Sequence, residues 1–430
     1  MDHQAKSHAV FCSIIRQYSN MCHAHTRKRH KYLIMIVGIP KEIKEYENRV
    51  SLVPRSVASL VASGAKVIVE SKAGDRSGFT DDDYLAAGAK IAMTAPELYS
   101  EGQLIVKVKE IQVGRGESEY LRHDHTIFGF NHFESSRELT DSAVKSGATF
   151  ISFEKVVDEQ GRTPLLMPMS KIAGTVAGLW AGFIHNFAFK HDKSVRLKAG
   201  SEQIRAKFIE SFDHIVGSQG NVNSDLRRIL SLQDKTALIF GGGTVGEMAA
   251  RVCSSLGAKL IIVEKREARR KYLHELGLPK SSIAASVDKD IIRSAHVIIG
   301  ATYDKEKADR VIDEFALKEA SEVRKKILID VSVDQGGNFP YIDPAGKYSP
   351  LSTGTILNPA QLDYFGNIFV RVPNIPSIVP RYASSELSGV LIDYVRGIAK
   401  KEASPVVQNA VSIRDGKIID EAILRAHNLK

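Results

Sequence analysis

Apolar residues along this chain come in short runs, set off by polar turns. Met35–Ile39 is the first such run, followed by the polar stretch PKEIKEYENRVSLVP. Pro54 opens a helix through Ser63, Gly64 ends it, and Lys66–Glu70 is the next strand. The same reading predicts a helix at Asp81–Ala87, a strand at Lys90–Met93 and a helix at Ala95–Ser100. Further strands follow at Leu104–Lys109 and Thr126–Phe130. Strands alternating with helices imply a parallel sheet covered on both faces. This first unit runs to about residue 164 and has no glycine fingerprint of its own.

The stretch Ala237–Lys265 carries a stronger pattern. Ala237–Phe240 reads as a buried parallel strand, with Gly241, Gly243 and Gly246 after it at G-x-G-x-x-G spacing. Met248–Leu256 reads as a helix, Gly257 stops it, and Lys259–Val263 is a second strand ending at Glu264. In such a unit the first glycine allows a tight turn, the second admits a pyrophosphate, and the third lets helix and strand pack closely. The free N–H groups at the helix start then favour a phosphate. Glu264 lies 18 residues beyond Gly246, near the roughly 20 expected for an acid that binds a ribose 2′-hydroxyl. The pattern predicts a dinucleotide site; the bland reading is a glycine-rich turn that binds nothing. The alternation continues with helices at Arg266–Leu276, Ile291–Ser294 and Leu317–Val323, and strands at Ile283–Ala285, Val297–Ala301 and Ile327–Val331.

Two further segments complete the plan. Between Lys171 and Lys190 lie 18 residues without a formal charge, the lower limit for a membrane span. Gly174, Gly178 and Gly182 share one face of that helix. We read it as a buried helix bridging two domains, with a second subunit as a further partner for its glycine face. Residues 191–232 are charged and helix-favouring. Glu386–Lys401 reads as an amphipathic helix returning to the first unit, and Val411–Ile418 as a hairpin turning at Asp415-Gly416. The expected architecture is α/β: two doubly wound parallel-sheet domains joined by long helices. One comprises 35–164 and 381–430, and the other, a Rossmann domain, 165–380.

Composition changes little. The chain of 430 residues has a net charge of +9. Much of that excess sits in residues 1–34, where Lys6, Arg16, Arg27, Lys28, Arg29 and Lys31 face Asp2 alone. That segment reads as a disordered or spurious extension rather than a nucleic-acid arm, and no nucleic-acid or membrane partner is expected. Cys12, Cys22 and Cys253 make neither a disulfide framework nor a metal cluster, so a reducing cytoplasm fits and no metal is expected.

Arg49, Lys109, His132 and Asp334 lie at or near strand ends, the positions that face the ligand crevice of open α/β sheets. Each has a structural reading too: a solvated loop cation, an exposed strand end, a core histidine, a turn cap. Spacing alone does not choose.

From Met35 the sequence resembles the alanine dehydrogenase family, related to the nucleotide-binding subunit of transhydrogenase. The matching strings are VGIPKEIKEYENRVSLVP (37–54), LIVKVKE (104–110), FGFNHFESSRELTD (128–141), PLLMPMSKIAG (164–174), GGGTVG (241–246), IDVSVDQGG (329–337) and VPNIPSIVP (372–380). The resemblance implies a homo-oligomeric enzyme that oxidatively deaminates L-alanine to pyruvate and ammonia with NAD, and runs the reverse amination. Arg49 and Lys109 would meet the 2-oxo acid, His132 would be the acid/base, and Asp334 the polar partner for water, ammonia or the carbinolamine. Phe130, Leu166 and Met169 would line the pocket. Gly241, Gly243, Thr244, Val245, Gly246, Glu264, Arg269, Ser170 and Asn374 would hold the cofactor. Departures leave alternatives open: a reductase condensing an amino acid with a 2-oxo acid, or a transhydrogenase-like NAD(H)-binding subunit. The chain is longer than the family between Ser170 and Gly241, Gly129 and Asn131 flank the histidine strand, and Ile375 replaces a commoner methionine. Glu264 should repel a 2′-phosphate and so favour NAD, while Lys265, Arg266, Arg269 and Arg270 keep NADP open.

Overall fold

The computed structural model describes residues 34–188, 215, 224–278, 282–303, 308–333, 336–340 and 361–429. The expectations for residues 1–33, for Asp334 and for most of 191–232 lie outside them.

The first domain begins with β1 (Val37–Ile39), α1 (Pro54–Ala62), β2 (Val67–Glu70), α2 (Asp81–Ala86), β3 (Lys90–Ala92) and α3 (Ala95–Glu101). It continues with β4 (Leu104–Val106), β5 (Thr126–Gly129), α4 (Arg137–Ser146) and β6 (Thr149–Ser152). Polar residues start these helices: Thr80 accepts the Asp83 N–H in a capping box, and Ser136 accepts that of Leu139. Helix α5 (Met167–Ala188) follows, then α6 (Ser224–Ile229) and the second domain.

That domain contains β7 (Thr236–Phe240), α7 (Thr244–Ser255), β8 (Lys259–Val263), α8 (Glu267–Glu275), β9 (Ile283–Ala284), α9 (Lys289–Ser294) and β10 (Val297–Gly300). It closes with α10 (Glu314–Val323), β11 (Ile327–Asp330), β12 (Gln361–Tyr364) and β13 (Asn367–Arg371). The chain then returns through α11 (Pro380–Ala399), α12 (Pro405–Gln408), the hairpin β14 (Val411–Arg414) and β15 (Lys417–Ile418), and α13 (Glu421–Ala426).

Two sheets result. The first has the order β15-β14-β6-β5-β4-β1-β2-β3, parallel from β6 to β3, with β14 antiparallel to β6. The second has the order β12-β13-β11-β10-β7-β8-β9, parallel apart from β12. Each is doubly wound, and strand order reverses between β1 and β4 in one and between β7 and β10 in the other. Alternate residues face opposite layers: Leu238 and Ile298 join one apolar cluster, Ala237, Ile239 and Ile299 another. The latter continues through α5 and α11 into Val37, Val106 and Phe128 of the first sheet. One core therefore spans both domains.

The glycine face of α5 has a different partner from a second subunit. It lies against α7 of the same chain. A Cβ on Gly174 would stand 2.2 Å from Val245 O, on Gly178 2.6 Å from Val252 Cβ, and on Gly182 2.4 Å from Leu230 O. No helix among the described residues is long and apolar enough to cross a membrane.

Candidate active site

The carboxyl ends of the first sheet carry a dense set of charged side chains. After β1 come Glu42, Glu47 and Arg49; after β4, Lys107, Lys109 and Glu110; after β5, Phe130 and His132; after β6, Glu154. Such strand ends flank the point where the strand order reverses, which is where open sheets bind ligands.

Arg49 is buried and fully engaged. Its Nε and Nη2 donate to the two oxygens of Glu47 at 2.8 and 2.6 Å, its Nη2 to Asn374 Oδ1 at 2.8 Å, and its Nη1 to Met169 Sδ at 3.0 Å. Asn374, in left-handed backbone just past β13, donates in turn to Glu47 Oε2 at 2.7 Å. Burial works to raise the Glu47 carboxyl, but Arg49, Lys109 and the Asn374 amide outweigh it and hold it at about 2. Lys109 is buried beside this pair and also faces Glu110. Burial likewise works to raise Glu110, but Lys44, Lys109 and His132 hold it at about 2. These mutual fields bring Arg49, Lys109 and His132 into one neighbourhood.

His132 is half-buried, with φ 49°. Its N–H donates to Glu154 Oε1 at 2.8 Å, and its ring lies parallel to that of Phe130, with 6.0 Å between centroids. Phe130 in turn packs edge-on against Phe153. Leu166 is half-buried beside the core, Met169 is buried, and Ser170 sits in the first turn of α5, its N–H on Leu166 O. Below them, Glu42 accepts the N–H groups of Val108 at 2.6 Å and Lys109 at 3.4 Å. Its other oxygen faces the buried Lys107 ammonium at 3.5 Å. Glu42, Glu47 and Glu154 escaped sequence reading. Only Glu47 had a signal, its place two residues before Arg49.

The nucleotide turn lies along the same helix. Met169, which touches Arg49, and Gly174, which touches Val245, are separated on α5 by about 7.5 Å of rise. In the turn, Gly241 has φ 99° and passes Ala301 O so closely that a Cβ would come within 2.3 Å. A Cβ on Gly243 would meet nothing within 4 Å, and one on Gly246 would strike Gly241 O. The space over Gly243 is open at the start of the twelve-residue helix α7, an arrangement suited to an anion such as a phosphate. Thr244 and Val245 begin that helix. Glu264 accepts the Gly242 N–H at 3.0 Å and both Nε and Nη2 of the exposed Arg266 at 2.9 and 3.0 Å. Burial opposes ionisation of Glu264, yet Arg266 and Gly242 keep its carboxyl below the ordinary range. Arg269 donates to Gly242 O at 2.6 Å and Glu247 at 2.7 Å; Lys265 pairs with Asp309 at 3.0 Å. Among the described residues no group of His, Cys, Asp and Glu is placed to hold a metal.

Residues 38–173 match the alanine dehydrogenase/PNT N-terminal domain, and residues 227–423 the C-terminal domain. Alanine dehydrogenase 1 of Staphylococcus aureus (strain NCTC 8325 / PS 47) is 30% identical over 411 residues, covering 92% of this chain and 97% of that protein. The chain belongs to the alanine dehydrogenase/PNT family. An alanine dehydrogenase of Methanococcus maripaludis is 29% identical over 405 residues, with the same coverage. A solved L-alanine dehydrogenase superposes with a TM-score of 0.71 at 27% identity, over 92% of this chain and 99% of that one. A transhydrogenase from Sinorhizobium meliloti shares the fold, with a TM-score of 0.65 at 19% identity over 90% and 99% of the two chains. Family membership makes this protein an amino-acid dehydrogenase that works with a pyridine nucleotide.

Proposed function

We propose that the enzyme interconverts L-alanine with pyruvate and ammonia, using NAD. The observation that carries the reading is the Arg49 cluster: an immobilised guanidinium beside Lys109, resting on Met169 of α5, the helix that also packs against the nucleotide turn. With the Nε and Nη2 groups held by Glu47 and Asn374, the Nη1 edge, which donates to the weak thioether acceptor of Met169, would receive the substrate carboxylate. Lys109 would polarise the keto oxygen where negative charge develops. His132 would accept a proton from the amine or from attacking water, a role matched to imidazole's titration range. Asp334 would be the polar partner for water, ammonia or the carbinolamine there. Phe130, Leu166 and Met169 would line the pocket and leave room for a small side chain only.

Gly241, Gly243 and Gly246, with the Thr244 and Val245 amides, would seat the pyrophosphate, and Ser170, Arg269 and Asn374 would border the cofactor. When bound, the nicotinamide supplies hydride acceptance, and positioning is the protein's main task. Glu264 supports NAD over NADP, because its anion would receive a ribose hydroxyl and repel a phosphate. In the same reading the enzyme works in the cytoplasm as a homo-oligomer, which light scattering checks.

The test is a panel of amino acids with NAD and with NADP, followed at the absorbance of the reduced nicotinamide. The reading expects L-alanine with NAD to give the highest kcat/KM. Preference for a secondary-amine substrate, or no turnover of any amino acid, would refute it.

A further inference from the structure

We propose that Glu154 is the positioning residue of His132, a carboxylate that fixes the histidine's backbone and steadies its protonated ring. The assignment rests on the dehydrogenase reading above. A left-handed backbone is uncommon for histidine and persists only where surroundings hold it. Here the holder is visible. Glu154 Oε1 accepts the His132 N–H at 2.8 Å, and the same oxygen lies 3.9 Å from His132 Nδ1. A single carboxylate oxygen thus faces both the backbone and the ring of the proposed acid/base. Phe130 lies parallel to the imidazole, 7° between planes, and limits its tilt.

The placement follows from the sheet. β5 and β6 run parallel, with Gly129 opposite Ser152, so the residues just beyond each strand emerge side by side. Glu154 leaves β6 in the short turn Phe153–Lys155, and His132 leaves β5. Glu154 Oε2 is enclosed and accepts no hydrogen bond among the described residues. A buried carboxylate oxygen without a donor costs stability, so local structure alone gives no reason for an acid here.

The neighbouring charges are largely paired among themselves. Lys155 is held by Glu134 at 2.5 Å and Asp420 at 3.0 Å. Glu110 faces His132 from the exit of β4, and is itself paired with Lys44 at 2.5 Å. Burial lifts the Glu154 carboxyl to about 7, against the His132 N–H. Once ionised, that carboxylate would favour the protonated ring 3.9 Å away.

The test is the pH profile of kcat/KM for amino-acid oxidation. Glu154→Gln keeps the shape and an oxygen for the His132 N–H but removes the charge. The acid limb, where the histidine becomes protonated, should then move to lower pH by roughly one unit, as expected for a carboxylate within about 4 Å. Nucleotide affinity, read by fluorescence titration, should stay within about twofold. Glu154→Asp keeps the charge one methylene further back, so its limb should fall between the two and its kcat should drop. An unmoved limb in Glu154→Gln overturns the assignment. Should that variant fail to fold, Glu154→Asp decides, and an unmoved limb there overturns it equally. Failure of the underlying reading looks different: the wild type would oxidise no amino acid at any pH.

Discussion

Glu47 grips Arg49 with both oxygens, although only one residue separates them in sequence. Nε and Nη2 donate at 2.8 and 2.6 Å, and the Arg49 N–H adds a third bond to Oε1 at 2.9 Å. Asn374, from beyond the last strand of the other domain, bonds to both partners. The guanidinium therefore has little freedom left. Its Nη1 donates to the Met169 thioether, a weak acceptor that a substrate carboxylate could displace cheaply. Glu47→Ala strands a buried cation, and should cost about 3–5 kcal/mol. Urea unfolding checks this; a midpoint within error of the wild type would show that the pair holds nothing.

The same pair sets a pH dependence. Glu47 is held down to about 2 in the fold, against 4.5 for an ordinary glutamate. A carboxyl depressed in this way stabilises the native state above about pH 4.5 and loses that contribution as pH falls towards 2. The stability gap between wild type and Glu47→Ala should be full at pH 6 and should narrow below 4.5. Of that gap, roughly 3 kcal/mol belongs to ionisation. Unfolding curves at stepped pH read it directly, and a gap constant with pH would assign the effect to packing alone.

His132 is half-buried and its ring lies parallel to that of Phe130, and the proposed reading makes it the proton acceptor. His132→Ala should reduce kcat by at least about 10²-fold and leave nucleotide affinity unchanged. Turnover near wild type would remove it from the chemistry.

Glu264 is already in use, capping the Gly242 N–H and pairing with Arg266. Under the proposed reading its loss removes a charged acceptor for the ribose hydroxyls, a bond worth about 1.5–3 kcal/mol. Glu264→Ala should weaken NAD about tenfold or more and narrow the margin over NADP. Fluorescence titration with both nucleotides decides, and equal NAD affinity would end the ribose assignment.

Periodicity revealed most of the two sheets, and particular residues show why some elements escaped it. β4 was expected to run to Lys109 but ends at Val106, because the Val108 N–H turns to the Glu42 carboxylate. Helix α11 begins at Pro380, six residues before the expected Glu386, since its polar first turns conceal the start that the proline marks. The hairpin β12–β13 turns at Phe365-Gly366, with φ 55° and 72°, and not at the Asn-Gly or Asp-Gly that advertises such a turn. The tail hairpin with Asp415-Gly416 was legible for that reason. Arg49 and His132 stood in recognisable strings. Their carboxylate partners became visible only in three dimensions, Glu154 because neighbouring strands bring together residues far apart in sequence.

Two glycine substitutions with opposite expected signs probe how the domains are joined. Gly174 of α5 faces the turn of the nucleotide domain, and a Cβ there would sit 2.2 Å from Val245 O and 2.9 Å from Met248 Cβ. A backbone carbonyl cannot step aside as a side-chain tip can, so α7 itself must move. Gly174→Ala should therefore cost about 1–3 kcal/mol or more and also weaken nucleotide binding, because the start of α7 is the phosphate seat. Gly389 lies in α11, exposed, with nothing within 4 Å of its added Cβ. There the only consequence is a less flexible unfolded chain, and Gly389→Ala should gain about 0.5–1 kcal/mol. Thermal unfolding of the two variants should give shifts of opposite direction. A Gly174→Ala protein as stable as the wild type would mean that α5 and α7 do not meet along this ridge, and with that the link between Met169 at Arg49 and the glycine turn would be gone.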